Sequence, residues 1–357
     1  MNEYLSYKLK VISLLLMVMV VFLHSYNIIV SFNSGNININ SGVNFFIQEF
    51  ISHGVTRIAV PSFFFISGYL FFLNFNGKIQ SFLNKFKSRI KSLLVPYLLW
   101  SAWGLIFFFL LQSFPQSKNF FANELIIDYT FGEILNTLFL NPLPYQLWFI
   151  RDLVMLVVFS PIIYWLINKF KIAPLILFFI LWIGVFHFNV FIFTYESLFF
   201  YSLGSYFSIF KSDLLLVKRT QNRFFILFFL WITILIIKTI IAYNDYNTVL
   251  LLILLKISIL IGIVVLWSLY DVLMKNKLKP NSYILFVSSF SFLIYAFHEP
   301  ILIMMKKGVF YVLGISNSIA LVNYFLSPII TIIISVILGY VLKNQTPSFY
   351  KLITGGR

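Results

Sequence analysis

The chain has no cysteine among its 357 residues. That excludes a disulfide framework, a thiolate metal site and an acyl-cysteine intermediate. Charge is scarce as well: 10% of residues are Asp, Glu, Lys or Arg, against about a quarter in soluble domains. With 61% apolar residues and a mean hydropathy of +0.94, the chain could not cover a water-facing surface with polar groups. A soluble enzyme, a nucleic-acid-binding domain and a disordered chain are all excluded. Acidic residues are scarcest, 11 against 26 Lys and Arg, for a net charge of +15. In a membrane protein such an excess marks cytoplasmic loops, not a nucleic-acid partner. No internal repeat is visible. The one biased segment, Asn33–Asn44 (NSGNININSGVN), reads as an uncharged polar loop.

What is abundant is long apolar sequence. Ten segments can span about 30 Å of hydrocarbon: residues 11–32, 58–75, 93–113, 146–168, 172–187, 191–210, 223–243, 248–270, 283–305 and 317–342. Lys8 and Lys10 ahead of Val11–Leu23 imitate a signal peptide. The run continues without a small-residue cleavage site, so it reads as a retained first span. The expected fold is all-α: a single polytopic membrane domain over 1–357, with about ten transmembrane helices. With the N-terminus inside, nineteen Lys and Arg fall in cytoplasmic segments and three (Lys118, Lys306 and Lys307) in outer ones. That bias predicts that both termini are cytoplasmic.

Ionisable groups within hydrocarbon are costly, which makes each a functional candidate. At about 1.5 Å per residue, His24 and His298 lie roughly 20 Å above the cytoplasmic end of their spans. Arg57, Arg151, Asp152, His187 and Glu196 begin or end spans on the outer side. So many polar groups at one level point to a polar cavity opening outward. His24 in VVFLHSYN is either a buried structural histidine or a general base that takes a proton from a hydroxyl. Glu49, His53 and Arg57 recur every fourth residue, a single stripe if helical, forming either a wetted interfacial face or a wall of the acceptor site. Arg151 and Asp152 point about 100° apart on a helix, and Arg151 could orient a carbonyl, carboxylate or phosphate. In SFLIYAFHEPIL, Pro300 loosens the helix beside His298 and Glu299. The run KIQSFLNKFKSRIKSLL is either a helix pinned to anionic lipid or a phosphate grip built on Lys87, Arg89 and Lys91.

In order and spacing, the segments VVFLHSYN, PSFFFISGYLF, RIKSLLVPYLLW, LWFIRDL and SFLIYAFHEPIL resemble the acyltransferase-3 family of membrane O-acyltransferases, whose bacterial members modify surface polysaccharides and related glycans. The resemblance implies an acyl-CoA donor, usually acetyl-CoA, an active site within the membrane, and His24 as the essential histidine of the first helix. Members often carry an arginine eleven residues before that histidine, on the same helical face. Here Ser13 stands there, and Lys10 is the nearest cation.

The resulting expectation is acyl transfer from cytoplasmic acyl-CoA to a hydroxyl of a cell-surface glycan or its lipid-linked precursor, at a bacterial cytoplasmic membrane. His24, Arg151 and His298 are the expected catalytic residues. Arg57, Asp152, Glu299 and Tyr295 line the acceptor site, with Arg57, Arg151 or Tyr295 facing the oxyanion. Lys10, Lys87, Arg89 and Lys91 hold the donor. Membrane lipid is a further partner, and neither a metal nor a nucleic acid is expected. The alternative is a transporter or flippase for a glycan or a lipid-linked intermediate. The topology is directly testable in a chain without native cysteine. A cysteine in place of Lys87 should resist an impermeant thiol reagent in intact cells and react after permeabilisation. Labelling in intact cells would overturn the cytoplasmic placement.

Overall fold

The computed structural model describes residues 3–32, 35–39, 42–115, 121, 124–184, 193–210, 220–244, 248–274 and 279–356. Helix α1 (Glu3–His24) leads into an antiparallel hairpin of strands β1 (Ile29–Phe32) and β2 (Gly35–Asn38), with Ile29 opposite Asn38. Helix α2 (Gly42–Ser52) is followed by a 3₁₀ turn at Val55–Ile58, α3 (Ala59–Phe72) and α4 (Ile79–Arg89). A π turn at Ile90–Leu94 opens α5 (Val95–Gln112), and the short α6 (Phe131–Phe139) comes next. Then follow α7 (Trp148–Val158), α8 (Ser160–Phe170), α9 (Ala173–Ile183), α10 (Tyr195–Ile209), α11 (Gln221–Asn244) and α12 (Thr248–Leu273). The chain closes with α13 (Ser282–Ser288), α14 (Ser291–Leu313), α15 (Asn317–Gln345) and α16 (Pro347–Thr354).

The all-α reading holds, with the small hairpin added. Among the described residues six helical segments are long and apolar enough to cross a membrane, or up to eight if the bent pairs α7–α8 and α13–α14 each count as one span. The two remaining expected spans coincide with α9 and α10, of 11 and 15 residues, short of the roughly 20 needed for an upright crossing.

The first span differs from expectation in its limits. It begins at Glu3 and stops at His24, about two turns earlier than residues 11–32. Lys8 therefore lies inside a helix, not in a loop. Past His24 the backbone donors leave the helical ladder: the Ser25 N–H turns to the Phe22 carbonyl and the Asn27 N–H to Gln48 Oε1, while the side chains of Ser25 and Asn27 bond the backbone of α15. The stretch read as a polar loop supplies β2 and the start of α2.

Contacts divide the chain into two compact units, the first comprising residues 1–19, 54–89 and 152–291, the second 20–53, 90–151 and 292–357. In the first, α3 and α10 cross closely. A Cβ on Gly68 would lie 2.0 Å from the Tyr201 carbonyl oxygen, and one on Gly204 2.0 Å from that of Phe65. Only glycine permits this approach, the usual device where helices pack within a membrane. Elsewhere in the unit, Lys8 Nζ bonds Asp271 Oδ1 at 2.6 Å, with both side chains buried, and Tyr4 donates to the same oxygen at 2.5 Å. The Lys8 ammonium also lies 4.6 Å from the Trp267 ring centroid.

In the second unit the hairpin packs Val30 and Ile39 against Phe310 and Ala320. Helix α5 is tied to α16 by Trp100 Nε1 donating to the Ile353 carbonyl at 2.9 Å. It holds α6 through Tyr97 to the Phe139 carbonyl and Ser101 to that of Thr137. A capping box opens α6: Thr130 bonds Glu133 through both hydroxyl and backbone, and these bonds hold the Glu133 carboxyl below its ordinary pKa.

A buried pair that loses one partner leaves an uncompensated charge, at a cost of about 3–5 kcal/mol, whereas apolar replacement of both is close to neutral. Asp271→Leu should therefore lower the melting temperature in detergent, and Lys8→Met combined with Asp271→Leu should restore most of it. Equal loss in the single and double variants would contradict this role for the pair.

Candidate active site

The site is built on the end of α1, in the second unit. The last carbonyls of a helix have no partner within it. Here Lys306 of α14 supplies one, donating to the His24 carbonyl at 2.6 Å and to that of Tyr26 at 3.3 Å. An ammonium at a helix C-terminus also complements the helix dipole. The turn beyond is fixed by a polar belt. Asn27 exchanges two bonds with Gln48, backbone N–H to Oε1 at 2.9 Å and Oδ1 from Nε2 at 2.8 Å. Gln48 Nε2 also reaches Asn44, and Asn27 Nδ2 reaches the Ala320 carbonyl at 3.0 Å. Ser25 bonds the Tyr324 carbonyl, while Ser52 joins the Phe22 carbonyl and the Tyr324 hydroxyl. Every one of these polar side chains is buried.

His24 thus leaves a rigid backbone. Its Nδ1 is hydrogen-bonded to the Tyr145 hydroxyl, with the rings edge to face at a centroid distance of 4.7 Å. On another side its ring stacks on His298 at 5.3 Å and 25° between planes. His298 is wholly buried, and its Nδ1 faces the carbonyls of Tyr295 at 2.7 Å and Ile294 at 3.1 Å. That nitrogen must carry a hydrogen, so Nε2 holds the lone pair of the neutral ring. Among the described residues this Nε2 has no hydrogen-bond partner, nor have Glu299 Oε1 and Gln146 Oε1.

Pro300 shapes this region. It removes a backbone donor, and the helix is broken at Glu299 (φ −105°, ψ 135°), before a cis Glu299–Pro300 bond. Gln146 Nε2 takes up the carbonyls of Ala296 and Glu299, both at 3.3 Å. Tyr295 donates its hydroxyl to the Gln146 carbonyl at 2.6 Å. The residues at the break are thereby braced against the turn that carries Tyr145.

The expected site residues divide between the units. His24, His298, Glu299, Tyr295 and Arg151 lie in the second. Arg151 Nη1 donates to the Leu140 carbonyl at 2.6 Å, and Tyr295 has the bracing bond just described. Arg57 lies in the first unit with an exposed side chain. The stripe expected for Glu49, His53 and Arg57 is thus broken. Glu49 and His53 pair at 2.5 Å, but α2 ends at Ser52 and a 3₁₀ turn follows Gly54. Asp152, fully buried, accepts from the Thr194 backbone N–H at 3.3 Å, at the start of α10. Glu196 accepts from Trp182 Nε1 and has Arg57 and Lys256 as charged neighbours, all within the first unit. His187 lies outside the described residues.

Of the expected donor residues, Lys10, Lys87 and Arg89 belong to the first unit and Lys91 to the second. Lys10, Lys87 and Lys91 are exposed. Helix α4 is anchored by Phe82, whose ring lies 4.5 Å from that of Phe75. Arg89 is half-buried over the Phe71 ring. Among the described residues no group of three or more His, Asp or Glu is placed to hold a metal.

Residues 7–343 match the acyltransferase domain family. The chain belongs to that family. It is similar to a succinoglycan biosynthesis protein, ExoH, of Rhizobium meliloti, with 24% identity over 369 residues covering all of this chain and 94% of the relative. No solved structure matches it. The resemblance read from five short segments is thus a family membership across both units.

Tyr145, Gln146 and Lys306 escaped the sequence reading. A signal for the first two is the pair of prolines in NPLPYQLW, which marks a fixed turn just before Arg151. Lys306 reads in sequence as an outer-loop charge, although it lies two turns past His298 in the apolar helix α14.

Lys306→Met removes the donor from two carbonyls in a buried setting, at a cost of about 1–3 kcal/mol. The variant should melt several degrees lower in detergent and lose activity. An unchanged melting curve would contradict the capping role.

Proposed function

We propose that the protein transfers an acyl group, most simply acetyl, from cytoplasmic acyl-CoA to a hydroxyl of a cell-surface glycan or its lipid-linked precursor. It does so as a ten-span protein of a bacterial cytoplasmic membrane with both termini inside. Family membership supports acyl transfer, and the relative named for succinoglycan biosynthesis supports a glycan acceptor. The observation that carries the mechanism is His24, an imidazole on an immobilised helix end with Nδ1 on Tyr145 and its ring on a second histidine.

His24 removes the proton from the acceptor hydroxyl as its oxygen attacks the thioester carbonyl. The carbon–sulfur bond breaks, and the proton passes from the imidazolium to the departing CoA sulfur. Arg151, on the Leu140 carbonyl in the same unit, is the cation assigned to the oxyanion. His298 supports the His24 ring, and Glu299 is retained as an acceptor-site residue. General-base catalysis contributes about 10²–10⁴-fold, and positioning of the two substrates supplies a large further share. Lys10, Lys87, Arg89 and Lys91 are assigned to the donor phosphates, with Arg89 the central grip.

His24→Gln retains hydrogen bonding but cannot take up a proton at neutral pH. Purified His24→Gln and His24→Ala should fold and should lose transfer from acetyl-CoA by at least about 10²-fold. Near-normal turnover of the Gln variant would remove His24 from the chemistry.

Arg89→Ala should raise the apparent KM for acyl-CoA more than that for the acceptor. Unchanged donor kinetics in folded protein would return this segment to a lipid-anchoring role.

A further inference from the structure

We propose that Tyr145 is a positioning residue that sets the tautomer and ring orientation of His24. This role rests on the assignment of His24 as general base. An imidazole can act as a base at Nε2 only when its other nitrogen carries the hydrogen, and the partner of that nitrogen decides which tautomer prevails. Here the partner of Nδ1 is the Tyr145 hydroxyl. A phenol oxygen can accept the Nδ1 hydrogen while its own hydrogen points elsewhere. Tyr145 is 47% exposed, and in the proposed arrangement its own hydrogen is turned away from His24. In this arrangement Nδ1–H donates to Tyr145 and Nε2 presents its lone pair to the acceptor hydroxyl. When Nε2 takes the proton, the Nδ1 bond is kept and the imidazolium remains oriented.

The surroundings fix Tyr145 more firmly than its exposure suggests. It opens the 3₁₀ turn Tyr145–Leu147. Pro144, just before it, lies against α5 where Gly104 leaves room: a Cβ at Gly104 would come 2.2 Å from Pro144 Cγ. Just after it, the Gln146 backbone and side chain are held by Tyr295 and by the carbonyls at the helix break. The turn is clamped on both sides, and His298 limits the tilt of the His24 ring from another direction. The result has the logic of an oriented catalytic histidine, with a neutral phenol in the place that a carboxylate commonly takes.

The test compares Tyr145→Phe, which removes one oxygen and keeps the ring, with wild type and His24→Gln, all as purified full-length protein. Nitrogen-15 spectra of histidine-labelled protein report the tautomer directly. The chain has four histidines, so single substitutions assign the signals. The expected result is an Nδ1–H tautomer for His24 in wild type that becomes a mixture in Tyr145→Phe. Its kcat should fall about 10- to 100-fold, reflecting one lost hydrogen bond and the lost tautomer bias, with both KM values within about twofold. Full turnover in Tyr145→Phe beside an inactive His24→Gln would overturn the Tyr145 role alone, as would unchanged His24 nitrogen shifts. Full turnover in His24→Gln would overturn the base assignment and the Tyr145 role with it.

Discussion

A helix that stops among apolar side chains leaves carbonyl oxygens with nowhere to go, and a bare one in such surroundings is expensive. The second unit is organised around this problem at the end of α1. Lys306 takes the carbonyls of His24 and Tyr26, and Asn323 holds the Lys306 carbonyl in turn. Asn27, Gln48 and Asn44 occupy one another, while Ser25 and Ser52 reach across to α15 and back to α1. Buried polar networks of this kind specify one arrangement because each partly satisfied alternative costs free energy. The consequence is chemical: His24, the last residue of the helix, is held at a fixed point.

The second constraint comes from α14. Pro300 breaks the helix and Glu299 leaves the helical region of backbone space. The carbonyls at the break recruit Gln146, and Tyr295 anchors the same residue through its backbone. Two sequence-distant defects, one helix that ends and one that breaks, are thereby bound to each other and to the turn before α7. Side chains placed at such defects are pre-organised by the bonding the backbone already requires. His298 Nε2, Glu299 Oε1 and Gln146 Oε1, buried and without partners among the described residues, mark where this polar interior is least complete.

The sequence made part of this legible. An ionisable residue in an apolar run is a strong signal, and it led to His24, His298 and Glu299. The proline after Glu299 announced the break. Charge was a poorer guide where it was neutralised out of sight. Lys8 looked like a loop lysine because its partner, Asp271, is 263 residues away. Lys306 looked like an outer charge because a helix end from the other terminus of the chain is what it caps. The four-residue spacing of Glu49, His53 and Arg57 held for one step and failed at Gly54, where the helix ends. Tyr145 was invisible for a different reason: among 20 tyrosines only tertiary contact distinguishes the one that bonds the histidine. Separation of Lys10, Lys87 and Arg89 from Lys91 into different units likewise could not be read from their closeness in sequence.

Acyl transfer to a glycan is open to one direct measurement. Surface glycan is isolated from cells that lack this protein and from the same cells expressing it, and the repeating unit is weighed by mass spectrometry. Expression should add a fixed mass equal to one acyl group, removable by mild alkali as an ester is, with the glycan exported in both strains. Identical repeat masses in the two strains, or loss of the glycan itself without the protein, would contradict it.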